Sequence, residues 1–144
     1  MTQAKEIIRF AGLETHFYYD QTDTGGESCM FKVVAQPGAK MGVPHFHESF
    51  DEAVYGLKGI TTYTVDGKTI ELGPGDPLFI RRGITHGFAN NGTEATEFLC
   101  VITSPTFGPA YFREVAAVLS VSGPPDIAKL KEILLKYGLV PVMS

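Results

Sequence analysis

The 144-residue chain has no tryptophan, two cysteines and only four histidines. It also has no apolar run near the ~18 residues that a helix needs to cross a bilayer. The N-terminal stretch MTQAKEIIRFAGLETHFYYD lacks the long apolar centre of a secretory signal, so the cytoplasm is the expected compartment and no membrane partner is expected. Cys29 and Cys100 both sit in apolar, strand-like segments. A disulfide framework is therefore excluded as the source of stability, and two buried free thiols are expected. Charge is sparse too: 19% of residues are charged, the net charge is −4, and Arg81-Arg82 is too small to form a basic patch. That balance leaves no electrostatic footprint for nucleic acid. Asn91-Gly92-Thr93 fits a glycosylation triplet but is read as a turn.

What the chain does have is turn formers and β-formers. Sixteen glycines, nine prolines and a hydrophobic fraction of 44% suit one domain, residues 1–144, with its own core. Residues 1–105 read as short strands between turns, the clearest being 28–35, 53–57, 60–65, 68–72, 78–80, 85–89 and 96–103. Asp66-Gly67 between two of these is a strong hairpin signal. Residues 106–144 change character. Tyr111–Leu119 has helical composition, and Asp126–Tyr137 carries Ile127, Leu130, Leu134 and Tyr137 at helical spacing. Asp126 is placed as N-cap and Gly138 as the C′ residue. The expected fold class is all-β, a barrel or sandwich with C-terminal helices whose apolar stripes face the core or a second subunit.

Two of the four histidines, His45 and His47, fall one residue apart in PHFHESFDE. On an extended strand they point the same way and Phe46 points the other. Buried separately, each imidazole needs its own partner. A shared divalent cation satisfies both. Glu48, Asp51 and Glu52 are the nearby carboxylates; alternation turns Glu48 away, and a strand–loop–strand path favours Glu52 over Asp51. His86 follows in RRGITHGFANN, after a hairpin that allows the chain to return to a neighbouring strand. His16 is read as an ordinary hydrogen-bonded or solvated side chain.

These segments resemble the two motifs of the cupin superfamily. His45-Phe46-His47, four residues, Glu52, six residues and Gly59 match the metal-binding half of the first motif, while its leading glycine is displaced, with Gly38 one position too far upstream and Gly42 too close. In the second motif Gly75, Gly83, His86 and Asn90 fall in register, and Arg81 stands where the motif has proline, adding positive charge near the expected barrel mouth. The resemblance implies a small antiparallel jelly-roll barrel with helices packed outside it. Inside, one divalent transition metal (iron, manganese, nickel, cobalt, copper or zinc) is held by His45, His47, Glu52 and His86. A homodimer is the family-level expectation, supported by the open strand edges.

A further likeness in the C-terminal segment, VITSP…YFREVAAVL…GPPD…LLKYGL, points to monocupins similar to flavonol-cleaving quercetin dioxygenases. It implies a dioxygenase acting on a small enol or aromatic substrate, with Glu52 serving as both ligand and base. The alternatives are a non-redox isomerase, lyase or decarboxylase, and a small-molecule-binding cupin without turnover. Strand phase nominates Val54, Tyr63, Phe79 or Ile80, Phe88 and Val101 for the cavity wall, assignments that a one-residue slip reverses.

Overall fold

The computed structural model describes residues 3–41 and 43–142, so Gly42 lies outside the described residues. Eleven strands and two helices follow in the order β1 (Glu6–Phe10), β2 (Leu13–Tyr19), β3 (Ser28–Ala35), β4 (His45–His47), β5 (Asp51–Lys58), β6 (Thr61–Val65), β7 (Lys68–Leu72), β8 (Pro77–Ile80), β9 (His86–Ala89), β10 (Thr96–Thr103), α1 (Pro109–Leu119), α2 (Ile127–Lys136) and β11 (Leu139–Pro141). They build a six-stranded sheet, β1-β2-β3-β10-β5-β8, and a five-stranded sheet, β11-β4-β9-β6-β7. The strand pairings are antiparallel, and the jelly-roll expectation holds.

Three strands, β1, β2 and β11, carry no clear individual signal in the sequence. β1 and β2 form a hairpin whose two turn residues, Ala11 and Gly12, both have positive φ (49° and 76°). Asn-Gly or Asp-Gly is the usual signal for that turn, and alanine hides it. β11 is only three residues long and ends in a proline, yet it pairs with β4 in the register Leu139↔His47 and Pro141↔His45. Proline is tolerated there because β11 is the edge strand. The C-terminal strand thus covers the edge that the histidine strand would otherwise expose.

Both helices match their sequence signals. Asp126 accepts a hydrogen bond from the Lys129 amide at 3.0 Å, which caps α2, and Gly138 follows with φ 83°. The apolar stripe of α1 buries Tyr111, Phe112 and Val115, with Phe112 packed on Phe17 and Phe31 at ring separations of 5.6 and 5.5 Å. Burying such rings is worth about 2–3 kcal/mol each, which fixes the helices against the barrel. They lie outside the two sheets and supply one wall of the internal cavity, through Tyr111, Phe112, Val115, Leu130 and Leu134.

Both cysteines are free and buried. Asn90, fully buried, donates to the Ala35 and Glu94 carbonyls and accepts from the Gly92 amide, so this motif residue ties the β9–β10 turn to β3. At the displaced motif glycine, Gly38 itself makes the turn with φ 83°. Residues 39–41 then run beside β9, with the Met41 amide donating to Phe88 and the Asn90 amide to Ala39. Arg81 is exposed and does not line the cavity. The charge at the motif's proline position therefore lies outside the site, and it is Arg82 that makes a structured contact, a forked pair with Asp51.

Candidate metal centre

The site is assembled by strand phase and register. His45 stands directly opposite His86 across the β4–β9 pair, and His47 is two residues further along the same face. Glu52 arrives from the other sheet on β5, whose inward phase is Glu52, Val54, Gly56. The Gly83 amide donates to the His47 carbonyl at 2.8 Å, pinning the turn before β9 to the end of β4. Ring nitrogens of the three histidines lie within 4.8 Å of one another, and all three residues are buried. Glu52 Oε1 is 3.8 Å from His47 Nε2 and 3.9 Å from His86 Nε2. Glu48 is exposed and Asp51 is engaged by Arg82, so neither joins the site.

Hydrogen bonds fix which nitrogens face inward. His45 Nδ1 lies 3.1 Å from the Val43 carbonyl and His86 Nδ1 lies 3.0 Å from that of Ile84. A carbonyl only accepts, so both Nδ1 atoms carry the proton and both Nε2 atoms present lone pairs to the centre. His47 Nδ1 has no hydrogen-bond partner among the described residues, and its ring stacks on Phe50 at 4.2 Å. His45 Nε2 and His47 Nε2 approach to 3.2 Å. Burial, followed by the neighbouring imidazoles, depresses both pKa values, that of His45 to about 4 and that of His47 lower still. Neutral imidazoles are the ligand-competent form. Converging lone pairs with a carboxylate oxygen beside them are poorly satisfied by one another and well satisfied by a divalent ion. The residues therefore fit a transition metal: His45, His47 and His86 could hold one, and Glu52 stands beside them as a further candidate ligand.

One participant was not visible in the sequence. The Cys100 thiol donates to Glu52 Oε2 at 3.5 Å, leaving Oε1 directed at the histidines. Burial, then the Glu52 charge, holds this thiol well above its usual pKa, so it remains a donor. No sequence signal marks it, because the contact depends on the β10–β5 register that sets Cys100 opposite Val54 and Ile102 opposite Glu52. Cys100→Ala is expected to weaken metal binding roughly tenfold, the lower end for loss of a group that orients a ligand. Competition against a chromophoric chelator measures this, and unchanged affinity refutes the orienting role.

A cavity of about 480 Å³ opens on the centre. Tyr63 and Phe88, both nominated from strand phase, line it beside Phe31, Phe98 and Phe107. Val54 and Ile80 are buried but are not among the lining residues, and Phe79 is exposed. Val101 requires correction: β10 turns Phe98, Cys100 and Ile102 inward, and Val101 lies on the outer face in a shallow groove with Tyr55, Phe79 and Leu99. His16, on β2, pairs with Glu14 at 2.9 Å, away from the centre. No helix among the described residues is long and apolar enough to cross a membrane.

A buried cluster of three histidines that could hold a metal, with a carboxylate beside it, thus lies inside a two-sheet antiparallel barrel. The profile of the family described as Cupin domain matches residues 31–102, half of the chain, and the chain belongs to that family. It is 34% identical over 95 residues to quercetin 2,3-dioxygenase of Bacillus subtilis (strain 168), an alignment that takes in 65% of this chain and 27% of that protein. The chain thus spans about a quarter of that relative's length. Among solved structures, a predicted oxalate decarboxylase from Thermotoga maritima superposes with a TM-score of 0.62 and 26% identity, covering 70% of this chain and 92% of that one. The polyketide cyclase RemF from Streptomyces resistomycificus gives a TM-score of 0.59 and 27% identity, covering 69% and 73%.

Proposed function

We propose that this cupin is a metal-dependent dioxygenase acting on a small enol or aromatic, flavonol-like substrate. The observation that carries the reading is the pairing of the histidine–carboxylate centre with a cavity walled by aromatic and aliphatic side chains. Lys40 supplies the one lysine or arginine on that wall among the described residues, and it is exposed. A small dianion such as oxalate finds no arginine clamp there, whereas a flat, largely neutral ring system finds Phe31, Phe88, Phe98 and Phe107. A bound redox-active ion supplies dioxygen chemistry, and a redox-inert one supplies Lewis-acid polarisation. Glu52 is the one carboxylate on the wall among the described residues, which makes it the candidate acceptor for a substrate hydroxyl proton. The aromatic wall keeps water from the reacting carbons.

The likeness to a polyketide cyclase supports a second reading, non-redox metal-dependent chemistry on a similarly apolar substrate. An oxygen electrode separates the two. Protein loaded in turn with iron, manganese, nickel, cobalt or copper is expected to consume one dioxygen per flavonol cleaved, and the zinc form to consume none. Turnover of the flavonol by the zinc form without oxygen uptake moves the assignment to the second reading. Binding without turnover for every metal leaves a binding cupin.

A further inference from the structure

Most polar groups on the cavity wall are already engaged. Thr15 donates to the Ile8 carbonyl, Cys100 to Glu52, and the Nδ1 atoms of His45 and His86 to backbone carbonyls. The Tyr63 phenol is different. Tyr63 is 2% exposed, and no hydrogen-bond partner engages its hydroxyl among the described residues. Tyr63 lines the cavity, so its hydroxyl is a donor that the wall itself does not use. Its ring has little freedom, held edge-on by Phe88 at 5.6 Å and by Phe98 at 5.5 Å. Register places it at the metal centre's margin: Tyr63 is opposite Phe88, two residues from His86 on the same face of β9, and Phe98 is two residues from Cys100 on β10. Burial above all, with Cys100 and the Glu52 carboxylate nearby, raises the phenol's pKa well above its usual range, which keeps it a donor.

We infer that Tyr63 donates a hydrogen bond to a substrate oxygen held at the metal centre, and so selects substrates carrying an oxygen beside the reacting carbon over isosteric molecules without one. A site built around such a donor rejects ligands that leave it unpaired. This inference rests on the reading of the cavity as a substrate site, and it gives Tyr63 a contact that packing alone does not require.

Tyr63→Phe keeps the ring and its two aromatic contacts and removes only the hydroxyl. The zinc-loaded wild type and variant are titrated with 3-hydroxyflavone and with acetohydroxamate, a small oxygen chelator that needs only an open metal position. Zinc content and the thermal midpoint are measured alongside. The variant is expected to bind 3-hydroxyflavone about ten- to a hundredfold more weakly, the range for a hydrogen bond to a charged oxygen. Its metal content and its midpoint should be unchanged, because the ring and both of its aromatic contacts are kept. A purely structural role predicts the reverse, a lower midpoint with unchanged affinity, and overturns the assignment. Weaker acetohydroxamate binding by the variant, with 3-hydroxyflavone bound by neither protein, supports Tyr63 as the donor and removes the flavonol reading. Equal affinities of both proteins for both probes overturn the proposal.

Discussion

Replacing His86 with alanine is expected to reduce bound transition metal from near one ion per chain to a trace. His86 stands opposite His45 on the neighbouring strand, and its Nε2 lies 3.9 Å from Glu52 Oε1. Without that imidazole two histidines and one carboxylate remain, facing a void where the third ligand stood. Groups that merely orient a metal ligand are worth about ten- to a hundredfold in affinity, so loss of the ligand itself should exceed about a hundredfold. The effect also reads out as stability. An ion present at 100 times its dissociation constant stabilises the folded chain by about 2.7 kcal/mol. For a domain of this size that is a midpoint rise of roughly 10 °C. Wild type should therefore melt some 10 °C lower after chelation, while His86→Ala should respond to neither metal nor chelator. Elemental analysis and thermal denaturation with and without metal test both parts. A variant that keeps its ion and its metal-dependent midpoint would falsify the ligand assignment.

The legibility of this centre followed from a short-range rule. His45 and His47 need only the two-residue period of a strand to share a face, and that period could be read without knowing the partner strand. Glu52 and His86 required long-range pairing and became legible through the motif spacing. Where no such aid existed, the sequence was ambiguous for a physical reason. TEFLCVIT on β10 is apolar on both faces, since the outward Leu99 and Val101 are as hydrophobic as the inward Phe98 and Ile102. A strand that is apolar on both faces has no alternation to fix its phase, which is why its sequence does not separate outward Val101 from the inward set. Of the stripe Ile127, Leu130, Leu134 and Tyr137, Leu134 is buried and Leu130 and Tyr137 are half-buried, but Ile127 in the first turn of α2 is 47% exposed. Nor does the spacing show that Tyr111, Phe112 and Leu134 wall the cavity. Helical periodicity identifies the buried face and says nothing of what it meets. Cys100 and β11 depended on register across distant segments, which no local pattern encodes.

Gly56→Ala is expected to be among the most destabilising single-methyl changes in the chain, although no metal ligand is touched. Gly56 occupies the inward phase of β5, four residues beyond Glu52. A Cβ there would stand 1.9 Å from the Gly73 carbonyl oxygen and 2.8 Å from its carbon, and both are backbone atoms with no rotamer to give way. The turn cannot easily retreat. The Gly56 amide donates to the Asp76 carbonyl, the Gly75 amide donates to the Gly56 carbonyl, each at 2.9 Å, and Asp76 Oδ2 accepts from the Gly73 amide at 2.8 Å. Relief of the clash means giving up two strand–turn hydrogen bonds, at about 1 kcal/mol each, together with a backbone shift of overpacking cost. The sum is about 3 kcal/mol or more, read by denaturant titration. Gly67→Ala is the appropriate comparison: it too is a turn-associated glycine, with φ 77°, but no atom lies within 4 Å of its added Cβ, so only the left-handed backbone penalty of about 1 kcal/mol applies. Similar losses for the two variants would mean that conformational strain, and not the close approach of β5 to the Gly73–Asp76 turn, governs this end of the barrel. A Gly56 variant that loses stability but retains its metal would show that the centre is held by β4, β9 and the Glu52 end of β5, independently of the strand's far end.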